Sequence, residues 1–214
     1  MQILKFDCIE STQLYLVESL RNGSLSAPIM VVADVQSGGV GSRGNAWESV
    51  EDGLYFSVAI PFFKLPQDLP LESVSIYMGY IFKEILNQNG AQVWLKWPND
   101  LYVGSKKAGG IICTKLQENI IVGIGINLKV SDMCFGVVEV GIQKEAILEI
   151  LAEILECEEK KFSWKQIFSK YALEFHKNFN YGFHYKGSVL AMSDAVLCDD
   201  GAILIENEKI YSLR

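Results

Sequence analysis

A chain of 214 residues, half of them hydrophobic and 21% charged, is long enough for one good core with a small appendage and lies far from the composition of disordered chains. Nineteen Lys and Arg against 26 Asp and Glu leave a formal net charge of -7. That balance gives no basic face for a nucleic-acid backbone, while leaving room for a small pocket that holds one phosphorylated molecule. No apolar run approaches the ~18 residues of a membrane span. The five cysteines never form a CxxC pair and no secretory leader opens the chain, so they read as reduced cytoplasmic thiols rather than a disulfide framework or a zinc site. Two histidines without HExxH spacing point away from a histidine metal centre.

In chain order, Ser11 and Thr12 stand where a helix can be capped, and Leu14, Val17 and Leu20 carry a short amphipathic helix to Asn22 and Gly23. The spacing then predicts a strand over Ile29–Val35, a glycine-rich loop, and a second strand over Leu54–Ile60. Pro66 and Pro70 precede a helix from Leu71 to the Asn89–Gly90 stop, followed by a strand over Ala91–Trp97 that ends in Pro98, Asn99 and Asp100. Gly109–Leu116 and Asn119–Leu128 read as an antiparallel hairpin. Two helices follow, about Lys144–Cys157 and about Ser163–Lys177. Short strands come last, over Ser188–Val196, Ala202–Glu206 and Lys209–Ser212. The break in character places a main domain over 1–178 and a small β-rich domain over 179–214.

The loop after the first of these strands, "QSGGVGSRGNAW" from Gln36 to Trp47, spells GxGxxG with Gly39, Gly41 and Gly44. A dinucleotide fingerprint requires the third glycine to open a crossover helix. Here a strand begins ten residues after Gly44, leaving no room for that helix. Two readings of the loop then stand side by side: backbone amides that approach an anionic ligand, or a connector with turn glycines. "KWPNDLYVGSKKAGGI", Lys96 to Ile111, adds an amide, a carboxylate and ammonium groups near a second glycine pair, with Gly123, Gly125 and Asn127 on the partner strand. That set suits an anionic ligand and a metal-bound nucleotide.

"KWPND", "KKAGGI" and "GIGINL", in this order and at these spacings, resemble the motifs of the biotin protein ligase family. "STQ" at Ser11–Gln13 and the Gln36–Trp47 loop resemble its earlier ones, and "DDGAILIENEKIYSLR" its small C-terminal β-barrel cap. The resemblance implies an α+β fold: a mixed, largely antiparallel sheet with helices packed on it, plus a β-barrel-like C-terminal domain. Only ten residues precede Ser11, so the monofunctional kind, without a DNA-binding domain, is expected. The implied reaction uses ATP with Mg²⁺ to convert biotin to biotinyl-AMP. A lysine of a biotin carboxyl carrier protein, the implied partner, then takes the acyl group, in the cytoplasm, with the enzyme a monomer or a homodimer.

The same resemblance implies that Lys107 holds the biotin carboxylate and the acyl phosphate, with Asp100 as the polar anchor. Ser11, Thr12, Gln13, Gln36, Gly39, Gly41, Arg43 and Gly110 would surround biotin; Gly44, Trp47, Asn99 and Asn127 would surround the adenylate. No resident metal is implied, only Mg²⁺ with ATP. Lys96 is either a site cation or a structural partner of Asp100, and Lys106 is a solvated neighbour. Two rivals stand beside this reading: a lipoate ligase, and a non-catalytic biotin- or nucleotide-binding protein.

The second rival is motivated by a departure. Val40, Ser42 and Asn45 stand where the family pattern has arginine, leaving Arg43 as the one cation of the loop. A charge-assisted hydrogen bond contributes about 1.5–3 kcal/mol, so the loss implies weaker retention of biotinyl-AMP, or compensation by Lys107, Arg43, Mg²⁺ and loop amides. The expected outcome of Ser42→Arg is a longer half-life of the bound adenylate, followed by rapid filtration. A half-life in the unsubstituted chain that already matches an arginine-rich relative decides for compensation.

Overall fold

The computed structural model describes residues 1–50, 52–128 and 135–211, without the Arg43 side chain. The elements in order are β1 (Gln2–Ile9), α1 (Thr12–Arg21), β2 (Ile29–Gln36), β3 (Gly39–Val40), β4 (Ala46–Trp47), β5 (Gly53–Pro61), α2 (Val74–Gln88), β6 (Val93–Lys96), β7 (Asp100–Val103), β8 (Lys106–Leu116) and β9 (Asn119–Asn127). Then come α3 (Lys144–Glu156), α4 (Trp164–Glu174), β10 (Gly182–Tyr185), β11 (Ser188–Ala191), β12 (Val196–Leu197), β13 (Ile203–Ile205) and β14 (Glu208–Ile210). Seven strands form one sheet in the order β1-β2-β5-β9-β8-β7-β6. Every neighbouring pair is antiparallel except β1 with β2, which gives the α+β class expected from the sequence.

Strand alternation sorts the side chains into two faces. Met30 and Val32 of β2, Phe56 and Val58 of β5, and Ile120, Val122 and Ile124 of β9 join one large core with residues of α2, α3 and α4. Their alternates Ile29, Val31, Ala59 and Ile121 join Leu16 and Val17 of α1 in a smaller one. Helices α2–α4 therefore cover one face, and the short α1 covers part of the other. All nine residues of β5 are buried, as a strand covered on both faces must be, and its side chains read as one apolar run interrupted at Ser57.

Two strands of the seven-stranded sheet were not legible in the sequence, nor were the short β3, β4 and β10. β1 carries Lys5, Asp7 and a half-exposed pattern; it is a sheet edge, held by its parallel register with β2 from Gln2↔Ile29 to Ile9↔Gln36. β7 has four residues and pairs back on β6 with Lys96 opposite Asp100. "KWPND" is therefore the turn of a β-hairpin rather than a strand end running into a loop. The predicted strand over Ser188–Val196 is split by a 3₁₀ turn at Met192–Asp194, and Ser212 lies outside the described residues. α4 starts where predicted, with a capping box between Ser163 and Gln166, and tightens to 3₁₀ at Phe175–Asn178. Among the described residues no helix is long and apolar enough to cross a membrane.

The C-terminal strands form sheets β10–β11 and β12–β13–β14, and Phe183, Met192, Ile203, Ile205 and Ile210 belong to the large core. Their attachment is specific. The Trp97 indole donates to Gly201 O at 3.0 Å and the Trp164 indole to Asp199 O at 2.9 Å, while Trp97 N–H donates to Asn178 Oδ1 at 2.8 Å. The Asp199–Gly201 turn is thus held by the tryptophan of the β6–β7 turn. Gly201 has φ +82°, and a Cβ there would run into Ser73; Gly187 has the same φ with open space around it. Both Gly→Ala changes incur the left-handed strain of about 1–2 kcal/mol, and Gly201→Ala adds a clash costing roughly 1 kcal/mol or more. Denaturant unfolding of the two variants is expected to show that difference, and equal losses would remove the case for the clamp.

Candidate functional site

Beyond the end of α1 the sheet is left bare by small residues, and a cleft of about 580 Å³, its open mouth included, lies between α1, the glycine loop and strands β5, β7, β8 and β9. Its walls include Ser11, Thr12, Gln13, Gln36, Gly41, Trp47, Asn99, Asp100, Lys107 and Gly110, all singled out in the sequence. They also include Val40, Ser42 and Asn45, the positions that replace arginine. Gly39, Gly44 and Asn127 are not among the lining residues, and the Arg43 side chain lies outside the described atoms.

One end of the cleft is polar, and its hydrogen bonds run in a fixed sense. Ser11 caps α1, accepting from Leu14 N at 3.4 Å. Thr12 N–H and Oγ1 both donate to Gln36 Oε1, at 2.8 and 3.0 Å, and Thr12 Oγ1 lies 2.9 Å from Ser57 Oγ. The Thr12 hydroxyl proton is spent on Gln36, so Ser57 donates to Thr12. Ser57, completely buried, was missed from the sequence, although a serine inside the run "LYFSVAI" was a signal that this point of β5 faces something polar.

The other end carries charge. Asp100 Oδ1 accepts from Lys107 Nζ at 2.6 Å, and Asp100 Oδ2 is 4.0 Å from Lys96 Nζ. Lys107 is part exposed and faces the cleft; Lys96 is buried, 5.8 Å from the centres of both the Tyr102 and Tyr181 rings. Lys96 is therefore a structural partner of Asp100 in a cation–π setting, and Lys106 is exposed. Burial, and then the Asp100 carboxylate, push the Tyr102 phenol up to about 12, so it stays protonated. Asn99 is locked to β8: its Nδ2 donates to Ile111 O at 2.7 Å and its O accepts from Ile111 N at 2.8 Å.

Glycines make the floor. Gly110 faces Asp100 on one side and Gly125 on the other. A Cβ at Gly125 would lie 2.8 Å from Trp47 Cε2, so the indole rests directly on the backbone of β9. A Cβ at Gly110 would meet Trp47, Asp100 and Lys107 only at 3.5–3.7 Å; there the missing side chain leaves room in the cleft rather than relieving a clash. Gly39, paired with Trp47, admits the Trp47 carbonyl and Gln36 Nε2, which a Cβ would meet at 2.6 and 3.1 Å, and Gly44 takes φ +77°. Asn127 is buried and its carbonyl accepts from Val138 N at 2.9 Å.

Two buried polar atoms beside the cleft, Gln13 Oε1 and Trp47 Nε1, have no hydrogen-bond partner among the described residues. Buried polar atoms of native proteins are mostly paired, with protein or with ordered water. Gly125→Ala is expected to lift the indole off the floor. Trp94, Trp97 and Trp164 are buried, so the acrylamide-quenched fraction of tryptophan emission should rise through Trp47 alone. No change in quenching would contradict the packing described.

Known proteins share this arrangement. Residues 5–131 match the family model of the biotin/lipoate A/B protein ligase family. The bifunctional ligase/repressor BirA of Bacillus spizizenii is 30% identical over 96% of this chain and 71% of its own length. The biotin acetyl coenzyme A carboxylase synthetase of Helicobacter pylori, solved with bound biotinylated ATP, superposes with a TM-score of 0.93 at 39% identity, covering 98% of this chain and 99% of that one. The biotin protein ligase of Aquifex aeolicus, solved with biotin and ATP, shares the fold with a TM-score of 0.76 at 24% identity, over 100% and 96% of the two chains. With the KWPND turn, the K-x-x-G-I entry and the G-x-G-x-N strand all built into one cleft, the chain belongs to the biotin/lipoate A/B protein ligase family as a biotin protein ligase.

Proposed function

We propose that the chain activates biotin with MgATP to biotinyl-5′-AMP and transfers the biotinyl group to one lysine of a biotin carboxyl carrier protein in the cytoplasm. The observation that carries this is the polarity of the cleft: the Thr12–Gln36–Ser57 network sits at one end and the Lys107–Asp100 pair at the other. A ligand with a polar ring and a distant carboxylate matches both ends.

In the first step a biotin carboxylate oxygen forms a bond to the α-phosphorus, and pyrophosphate leaves with the broken Pα–O bond. Two anions must approach, and Lys107 offsets their repulsion with a compact ammonium that can follow charge from carboxylate to acyl phosphate. Mg²⁺ enters as part of the nucleotide substrate. In the second step the carrier amine forms the amide, the acyl–phosphate C–O bond breaks and AMP leaves. Asp100 faces the same end of the cleft and accepts from the incoming amine. Ser11, Thr12, Gln13 and Gln36 hold the ring, with Gly41 and Gly110 giving close approach; Trp47 and Asn99 bracket the adenylate. Gly39, Gly44, Arg43 and Asn127 keep their assignments from the motif alone. The division into a ligase domain over 1–178 and a small domain over 179–214 belongs to the same proposal.

Incubation with ATP, Mg²⁺, biotin and a carrier domain is expected to add one biotinyl mass to the carrier. A gain with lipoate alone favours a lipoate ligase, and none with either favours a binding protein. Lys107→Met should lower the rate of pyrophosphate release by roughly 10²–10³-fold, the usual loss of one transition-state donor, with little change in stability because Lys107 is part exposed. An unchanged rate would remove Lys107 from the chemistry.

A further inference from the structure

We infer that β1 is a self-pairing edge: a second copy of this chain lays its own β1 antiparallel to the first, about a two-fold axis at Phe6, and joins two seven-stranded sheets into one. This surface lies away from the cleft, and the inference does not rest on the ligase reading.

The two edges of the sheet are unlike. β6 is four residues long and flanked by the C-terminal segment, with the Tyr181 ring 5.4 Å from Trp94. β1 is eight residues long, has no proline, and keeps one register against β2 from end to end. Among the described residues no other strand or backbone group bonds to its outer edge. A long unbroken edge of this kind is a template for another strand. One bond fixes which groups it offers. Ile9 O accepts from Ser37 N at 3.0 Å, just beyond β2, so the odd residues turn their N–H and C=O toward β2. Those of Leu4, Phe6 and Cys8 therefore turn outward.

That parity leaves few antiparallel registers, because outward residues of one copy must bond outward residues of the other. Charge then chooses among them. With the axis at Phe6, Lys5 of each copy stands opposite Asp7 of the other, Leu4 opposite Cys8, and Ile3 opposite Ile9. Moving the axis to residue 5 sets Lys5 against Lys5, and moving it to residue 7 sets Asp7 against Asp7. Opposite charges directly across two strands stabilise the pair and like charges destabilise it. Lys5 and Asp7 are both exposed, and they meet at a pair without backbone bonds, where facing side chains lie closest. The apolar layers match as well. Leu4 and Phe6 pack beside α1, with the Phe6 ring 5.0 Å from Tyr15, while Ile3 packs on the large core. The two-fold continues each layer into the same layer of the second copy, and such an isologous contact closes at two chains.

The test is sedimentation equilibrium of the full chain over a concentration series at low ionic strength, where exposed charges are least screened. The mass is expected to rise from 23.9 kDa toward twice that value. Lys5→Glu and Asp7→Lys each set like charges together on both sides of the axis, and each should weaken the dimer roughly 10-fold or more. The double variant restores opposite charges and should return the dissociation constant to within about threefold of the unsubstituted chain. A chain that stays at 23.9 kDa throughout overturns the inference. So does a dimer that neither single change weakens, or one that the double variant does not recover. Amide exchange of the unsubstituted chain decides independently of how the variants fold: slowing at Leu4, Phe6 and Cys8 as the dimer forms supports the inference, and unchanged exchange there in a dimeric sample overturns it.

Discussion

The structure depends on one sheet being treated differently on its two faces. On the face toward α2, α3 and α4, β9 presents Ile120, Val122, Ile124 and Ile126 to a continuous core. On the other it presents Ile121 beneath α1 and then Gly123 and Gly125. Apolar burial at roughly 25 cal/mol per Å² anchors the first face firmly enough for the second to give up side chains altogether. The cleft is the volume those side chains would have filled, and its floor is backbone that the Trp47 indole and Gln13 carbonyl approach directly.

Charge is positioned by the same economy of backbone. The β6–β7 turn places Lys96 and Asp100 opposite each other, and the glycine entry of β8 brings Lys107 to 2.6 Å from the same carboxylate. A carboxylate between two ammonium groups leaves one cation buried as support and the other facing the cleft. The turn itself is held from outside the sheet. Trp97 is bonded to Asn178 and Gly201 and its ring lies 5.2 Å from Phe183, so the C-terminal strands are mechanically continuous with the site although they line none of it.

Much of the cleft was legible in the sequence because its residues have few other reasons to occur together. Gly41 with Trp47, the set Asn99, Asp100, Lys107 and Gly110, and Ser11 and Thr12 at a helix start carry their chemistry in their identities. The GxGxxG spelling was rightly set aside, since β5 follows where a crossover helix would have to be. What could not be read has a common cause. β1 and β7 are too polar or too short to declare a period and exist through their pairing. Ser57 could be seen as an oddity in an apolar strand, but its role depends on which strand neighbours β5.

The sequence by itself determined the family, the two-sided apolar alternation that makes a sheet with helices, and the identities of the anionic-ligand groups. These are written in periodicity and in motifs. Only the tertiary structure decided which of those groups share one cleft, that Lys96 is buried beside Asp100 while Lys107 faces the cleft, that Asn127 stands off the wall, and that Gln13 Oε1 is buried against Gly123. Each of those rests on contacts between segments as far apart as Gln13 and Ile121. Hydrogen-bond direction and burial are properties of such contacts, and no local pattern carries them.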